Sequence, residues 1–194
     1  MKPYRDFFKR AIDIVASGSV LLMLSLPLAA VTVWLQIANK GAGAFFLQER
    51  PGKGGKIFRV VKFKTMTDER DAYGKLLPDA KRLTRVGRFV RSTSIDELPQ
   101  LWNVLKGDMS LIGPRPERPL FVEKFKEEIP RYMIKHQVRP GMTGWAQVCG
   151  FRGDTSIEGR IEHDIFYIEN WTLSFDIKIL FLTVFKGFVN KNAY

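Results

Sequence analysis

The fold is decided by residues 14–37, IVASGSVLLMLSLPLAAVTVWLQI, a run of 24 residues without one charged side chain. About 20 apolar residues are enough for a helix to span the hydrocarbon core of a bilayer. Pro27 lies near the middle of this run, where a missing amide and a bulky ring predict a kink or a break. The run therefore predicts a membrane segment made of two helical halves.

The charges on both sides of this run favour a helix–break–helix that enters and leaves the membrane on the same face. Four cationic side chains lie within residues 2–10, and four more lie within residues 40–56. The positive-inside rule orients a spanning helix by an asymmetry of Lys and Arg, and here both flanks are basic. We expect a re-entrant hairpin over residues 1–40, with a straight spanning helix as the alternative.

The composition is that of a folded, strongly basic protein. The chain has 194 residues, 45% of them apolar and 26% charged, and a net charge of +11. This length suits one domain with an appendage, and the charge predicts an anionic partner. The single cysteine, Cys149, cannot form an internal disulfide.

Residues 41–194 predict an α/β domain that is mostly α with a small sheet or hairpin. The turn ERPGKGGK, residues 49–56, separates two strand-like runs. A helix is expected to stop at Gly107, and others at residues 120–129 and 157–171. The closing run, residues 175–189, is apolar nearly all round, which predicts a helix that is buried or lies on a bilayer.

The stretch RSTSIDELPQLWNV, residues 91–104, places two carboxylates side by side in this basic chain. Ser94 and Glu97 match a capping box, but Pro99 would then fall past the first helical turn. With Asp96 as the N-cap, Pro99 falls in the first turn, where amides have no helical partner. Asp96 is therefore the better candidate for the cap.

The same acids can also do chemistry. A carboxylate at a helix N-terminus is expected to stay ionised, and an ionised carboxylate can attack phosphorus to form an acyl phosphate. The neighbouring Glu97 could hold the divalent ion that a diphosphate carries. Arg91 lies close enough in sequence to offset the charge of the attack. The spacing does not decide which of the two acids attacks.

Two proline-stiffened stretches present arginines as candidate phosphate ligands. In GPRP, residues 113–116, Pro114 and the second proline fix the loop around Arg115, whose guanidinium matches phosphate oxygens. Arg139 has the same setting in VRPGMTG, residues 138–144, where Gly141 and Gly144 would permit close approach of the backbone to a ligand. For each stretch, a rigid turn with a solvated arginine is the alternative.

Two further sets of cations are candidates. Strand alternation places Lys62 and Lys64 on one face, although a solvated strand face would explain them equally. Arg152 lies between glycines in GFRGD and is a further candidate to bind phosphate.

The motifs KFKTM, STSIDELPQLWNVLKGDMSLIGPRP, KHQVRPGMTGWAQV and FDIKILFLTVFKGFVNKNAY together resemble the bacterial sugar transferase family. These are monotopic phosphoglycosyl transferases, and the resemblance covers nearly the whole chain in order. It implies transfer of a sugar 1-phosphate from a UDP-sugar to undecaprenyl phosphate, with release of UMP. Residues 1–40 would be the re-entrant hairpin, and 41–194 the catalytic domain with membrane-surface amphipathic helices.

The resemblance also assigns roles to residues. Asp96 would carry a covalent phosphosugar, and Glu97 would serve the Mg²⁺ ion. Lys62, Arg91 and Arg115 match positions that serve the phosphates. The implied location is the cytoplasmic face of the bacterial inner membrane, in contact with anionic lipid, where the reaction would start exopolysaccharide, capsule or glycan assembly. A homo-oligomer is compatible with this reading.

Two departures from the family pattern stand out. The helix break reads Ser25-Leu-Pro27 where some small members have Ser-Pro, and Cys149 stands where the family often has Asn. GFRGDT and the C-terminal residues 185–194 are most similar to glucose-1-phosphate transferases, with galactose as the next candidate sugar. Many of those have this domain at the end of a larger polytopic protein, so the chain is either such a domain or a short member.

A basic membrane-surface or nucleic-acid-binding module without catalysis is the alternative function. Phosphate neutralisation by a basic chain would give it salt-dependent affinity. The paired acids, the proline loops and the apolar hairpin have no use in groove binding, so we expect no nucleic acid partner.

Overall fold

The computed structural model describes residues 4–153 and 155–189, and over these ranges the chain is mostly helical with two small sheets. The α-helices are α1 Lys9–Met23, α2 Ser25–Ala38, α3 Asp79–Arg82, α4 Arg85–Ser92, α5 Gln100–Lys106, α6 Pro119–Glu128, α7 Trp145–Val148, α8 Ile157–Glu169 and α9 Leu173–Val189. The strands are β1 Phe45–Pro51, β2 Ile57–Phe63, β3 Ser110–Ile112 and β4 Gly141–Thr143. The predicted α/β class, mostly α with a small hairpin sheet, is confirmed.

The apolar run folds as two helices, α1 and α2, which meet at Leu24 with a bend of 64°. Pro27 is the third residue of α2, and its missing amide costs nothing in a first turn. The predicted break is confirmed. Within residues 4–153 and 155–189 no single helix is long and apolar enough to cross a bilayer, whereas the bent pair together is. Its re-entrant placement stays a prediction.

The hairpin of β1 and β2 is the platform on which the site is built. The two strands pair antiparallel from Phe45 opposite Phe63 to Pro51 opposite Ile57, as the turn signal predicts. Asn103 of α5 fixes the helix against β2, because its side chain accepts from the amide of Val61 and donates to the carbonyl of Arg59. These bonds set the register between α5 and the strand that carries Lys62.

The parallel pair of β3 and β4 forms the second sheet, with Ser110 opposite Gly141 and Ile112 opposite Thr143. Helices α8 and α9 pack beside it around Ile112, Val148 and Ile179. The predicted stop of α5 at Gly107 is confirmed, since this glycine has a φ of 104°. Beyond residue 189, the C-terminal part of the glucose-type resemblance lies outside the described residues.

The closing helix α9 is buried on one side only. Asp176 and Ile179 are at most 2% exposed, whereas Phe181 and Phe185 are 67% and 59% exposed. A fully buried helix is therefore wrong for this segment. An exposed apolar face is compatible with the alternative that the helix lies on a bilayer, which stays a prediction.

Candidate active site

The two acids lie in a tight turn between α4 and α5. The chain leaves α4 through Ser94, a non-glycine residue with a φ of 56°, and then forms a 3₁₀ turn, Ile95–Glu97. Such left-handed residues are strained and are held in place only by the surrounding structure. The turn directs Asp96 into the protein, where this residue is 7% exposed.

The expectation that Asp96 caps α5 is wrong, and the capping box of Ser94 and Glu97 does not form either. Helix α5 begins at Gln100 and has no side-chain cap. An Asp96 cap would need the amides of the residues two or three positions further on. Leu98 already donates to the carbonyl of Ile95, and Pro99 has no N–H to offer.

Glu97 is held between two cations. Lys62 donates to its Oε1 at 2.7 Å, and Arg115 donates to Oε1 at 2.7 Å and to Oε2 at 3.3 Å. Burial alone would raise the pKa of this carboxyl, but Arg115 and Lys62 outweigh it and lower the pKa to about 2. Glu97 is thus a fixed negative charge that brings both cations to the turn.

Asp96 has the opposite electrostatics. Burial raises its pKa to about 6, with the charge of Glu97 adding to the effect and those of Lys62 and Arg91 opposing it. Its Oδ1 is buried without a hydrogen-bond partner among the described residues. A pKa of about 6 agrees with the expectation that this carboxyl is ionised at neutral pH, but the pKa is raised by burial and is not lowered by a helix N-terminus. Such an unpaired buried oxygen is free to accept an electrophile or an ion.

Arg91 reaches the site from the last turn of α4, where its Nε donates to Thr65 Oγ1 at 2.7 Å. The approach of α4 to this segment depends on Gly87, because a Cβ there would lie 1.9 Å from the carbonyl oxygen of Thr65. Only glycine permits that contact. The close approach of α4 to Thr65 therefore positions Arg91 near Asp96.

The GPRP loop is fixed by the second sheet. The Gly113 amide donates to Thr143, and the Gly141 amide donates to Pro114, both at 2.9 Å. A Cβ on Gly141 would lie 2.1 Å from the Gly113 nitrogen, and one on Gly144 would lie 2.3 Å from the Gly113 oxygen. The close approach at these glycines is therefore to another stretch of backbone, which corrects the expectation of a ligand. It holds the base of the loop that presents Arg115 to Glu97.

The structure brings Lys62, Arg91, Pro114 and Arg115 together with the two acids. Arg139 lies elsewhere, donating to the carbonyl of Gly107 at the far end of α5. Because this bond completes a helix terminus, the geometry gives Arg139 no place beside the acids. Arg152 donates to the carbonyl of Gln147. Lys64 points along the hairpin to Asp68 and the carbonyl of Ala42, so only one of the paired lysines faces the site.

Sequence reasoning missed three polar residues around the site, of which Gln100 and Arg160 are buried and Arg50 is partly buried. Gln100 lies one turn after Asp96, and its Nε2 has no hydrogen-bond partner within residues 4–153 and 155–189. Arg50 donates to the carbonyl of Pro116, and Arg160 pairs with Glu117. Helical spacing from Asp96 could have indicated Gln100. Nothing local indicates the two arginines, because their partners are 66 and 43 residues away.

Glu97 suits a magnesium ion that arrives with a diphosphate. The described residues contain no cluster of three or more His, Cys, Asp or Glu side chains. Mg²⁺ commonly binds to one or two carboxylates and takes its remaining ligands from substrate phosphates and water. The Glu97 carboxylate matches that donor set through Oε2, whose bond from Arg115 is the longer one at 3.3 Å.

The sequence comparisons identify the class of protein to which this fold and site belong. A family model described as "Bacterial sugar transferase" matches residues 4–190. The chain belongs to this family, as its motifs indicate. The alternative of a basic module without catalysis is accordingly not favoured.

Particular relatives sharpen the comparison. The chain is 45% identical over 193 residues to "UDP-glucose:undecaprenyl-phosphate glucose-1-phosphate transferase" of Klebsiella pneumoniae, which covers 96% of this chain and 41% of that protein. It is 47% identical to "Uncharacterized sugar transferase EpsL" of Bacillus subtilis (strain 168), covering 94% of the chain and 88% of the relative. A protein of Caulobacter vibrioides with the same name as the Klebsiella enzyme is 41% identical, with coverages of 97% and 73%. The chain thus spans about two fifths of the Klebsiella relative.

Proposed function

We propose that this protein transfers a sugar 1-phosphate from a UDP-sugar to undecaprenyl phosphate through a covalent intermediate on Asp96. The products are UMP and a polyprenyl-diphosphate-sugar. The observation that carries the proposal is the contrast at the turn, where Glu97 is bonded to Lys62 and Arg115, whereas Asp96 is buried and its Oδ1 has no hydrogen-bond partner among the described residues. The names of two relatives, which include a UDP-sugar and undecaprenyl phosphate, support these substrate classes, and a third relative is named as an undecaprenyl-phosphate galactose phosphotransferase.

The proposed reaction has two displacements at one phosphorus atom. An Asp96 oxygen attacks the phosphorus that carries the sugar, an O–P bond forms, and the bond to the UMP oxygen breaks. An oxygen of undecaprenyl phosphate then attacks the same phosphorus, and the acyl phosphate bond breaks to restore Asp96. Splitting one displacement in this way is nucleophilic catalysis. Neither step needs a proton, because each leaving group departs as an anion.

The surrounding cations supply the electrostatic part of the proposal. Lys62 and Arg115 are already fixed at Glu97, and Arg91 is fixed at Thr65, so they need little reorganisation to meet phosphate oxygens. Glu97 would hold Mg²⁺, which neutralises diphosphate charge when bound. Glucose is the proposed sugar and galactose the second candidate, following the names of the relatives.

We also propose that the bent helix pair lies in the inner membrane with both ends on the cytoplasmic face. The 64° bend, the basic flanks and the exposed apolar face of α9 support this placement. Anionic lipid would meet the basic surface beside it, and the lipid acceptor would reach Asp96 along that boundary. The reaction would then start exopolysaccharide, capsule or glycan assembly.

One experiment tests the reaction and the nucleophile together. Purified protein in detergent is incubated with Mg²⁺ and UDP-glucose or UDP-galactose, with and without undecaprenyl phosphate. Without acceptor, we expect UMP in amounts near that of the enzyme and a mass increase of one phosphosugar, which peptide mapping places on Asp96. With acceptor, UMP and lipid product should form together.

The matched variants are Asp96→Asn and Asp108→Asn. Asp108 follows the other end of α5, pairs with Lys106 and accepts a long bond of 3.4 Å from Asn103. The amide oxygen of an asparagine can still accept that bond, so Asp108→Asn should leave turnover within about twofold of wild type. Asp96→Asn should lose at least about 10³-fold in kcat, together with the adduct. An Asp96→Asn variant with wild-type turnover would refute the proposed mechanism.

A further inference from the structure

The loop Pro114–Glu117, which carries Arg115, is bonded from two sides beyond the sheet at its base. On one side, Arg50 at the end of β1 donates to the carbonyl of Pro116 at 2.9 Å. On the other, Arg160 of α8 donates to Glu117 Oε1 at 2.6 Å. The loop is therefore bonded to the hairpin sheet and to α8 directly after the residue that contacts Glu97.

Arg160 joins two loops through one guanidinium. Its Nη1 bonds Glu117, and its Nη2 donates to the carbonyl of Gly153 at 2.7 Å. The Arg160 side chain is 8% exposed and that of Glu117 is 15% exposed, so the pair is shielded from solvent. A lysine has a single ammonium group and cannot reproduce a planar fork with two separate partners.

Arg50 holds its position by a similar fork. Besides Pro116, it donates to Gln48 Oε1 at 2.6 Å. Burial lowers its pKa to about 10, so it remains cationic at neutral pH. Keeping a charge in this environment costs free energy, which is recovered only if its hydrogen bonds are made.

We propose that Arg50 and Arg160 are positioning residues that clamp the Pro114–Glu117 loop and thereby fix Arg115 for the diphosphate of the donor. The inference rests on the proposed function and deepens it. Neither arginine bonds the acids in the contacts described, and both bond the loop, although Arg50 also lies within electrostatic reach of Glu97 and Arg115. The clamp also ties the segment around Gly153 to the donor site, because Arg160 bonds both.

A misplaced Arg115 would hold the donor phosphates out of line with the attacking oxygen of Asp96. Positioning errors of about 1 Å can cost up to about 100-fold in rate. Arg160→Lys keeps the cation beside Glu117 and avoids an unpaired buried charge, so the protein should still fold. We expect kcat/KM for the UDP-sugar to fall about tenfold, with KM for the UDP-sugar raised and KM for undecaprenyl phosphate unchanged.

Arg131→Lys is the matched control. Arg131 also pairs with α8, through Glu169 at 2.5 Å, but that pair is more than half exposed and lies outside the loop. Its replacement should change neither Michaelis constant by more than about twofold.

The decisive measurement combines Arg160→Lys with Arg115→Lys. Because Arg160 acts through Arg115, adding Arg160→Lys to the Arg115→Lys enzyme should cost less than about twofold. An equal loss in both backgrounds would overturn the inference, as would an unaffected single variant. Turnover by wild type and the Arg131→Lys control tests the proposed function separately, so failure of the clamp and failure of the reaction give different results.

Discussion

The protein contains two clusters of buried charge that differ in how well their carboxylates are hydrogen-bonded. In the first, Asp176 of α9 accepts from Tyr4 at 2.6 Å and from Tyr167 at 2.8 Å, and it pairs with Lys9 at 3.0 Å. Trp171 also donates to it. In the second, Asp96 has three charged neighbours but an Oδ1 without a hydrogen-bond partner in the described ranges.

This difference in hydrogen bonding distinguishes a cluster that stabilises the fold from one that is available for catalysis. A buried carboxylate with every oxygen satisfied stabilises the packing of the elements it joins, here α1 against α9. A buried carboxylate left unpaired costs stability and is available for chemistry. Glu97 shows that the neighbourhood can satisfy an acid, because its immediate neighbour in sequence is fully paired.

The largest effect should follow from breaking the satisfied cluster. Asp176→Asn removes the closer of two anions beside Lys9, which is buried at 5% exposure, and leaves Asp13 at 3.6 Å. We expect the free energy of unfolding to fall by about 2 to 3 kcal/mol, measured by chemical denaturation in detergent micelles. The kcat of the folded fraction should stay within about twofold of wild type, since Asp176 lies outside the proposed site. A stability equal to wild type would remove the distinction between the clusters.

The sequence predicts the helices, strands and turns of this fold better than the long-range contacts between their side chains. The break at Pro27, the hairpin turn at 49–56 and the stop at Gly107 follow from local conformational preferences, and the structure confirms them. The resemblance indicated Lys62, Arg91 and Arg115, which do gather around the acids. The satisfied cluster could not be predicted, because Tyr4 and Asp176 are 172 residues apart and no local pattern pairs them.

The cap was mispredicted for a different reason. Position alone favours Asp96, but capping needs free amides, and the tight turn uses the Leu98 amide while Pro99 supplies none. The protonation of Asp96 depends on burial and on Glu97, and burial is a tertiary property. A sequence can thus place the acids at a turn without indicating which of the two stays unpaired.

A smaller effect of opposite sign should follow from removing the unpaired acid. The folded-state pKa of Asp96, about 6, lies above its ordinary value of 3.8, so ionisation of this group destabilises the folded state as pH rises through that window. Asp96→Asn should therefore gain about 1 to 2 kcal/mol of unfolding free energy at pH 7, although it abolishes turnover. The gain should shrink as pH falls below about 6 and vanish near pH 3, where both states of wild type bind the proton. A variant less stable than wild type at pH 7 would show that Asp96 is a structural acid like Asp176.

The smallest effect concerns the rate near neutrality. If the ionised Asp96 is the nucleophile, kcat/KM for the UDP-sugar should follow the pKa of the free enzyme. Activity should then fall about twofold between pH 7 and pH 6, about fivefold between pH 6 and pH 5, and about tenfold for each unit below that. Assays at constant ionic strength, with the folded fraction checked at each pH, separate this titration from unfolding. A profile that stays flat to pH 4 would mean that the attacking acid has a low pKa. Glu97, whose pKa is about 2, would then be the better candidate, and the roles of the paired and unpaired acids would be exchanged.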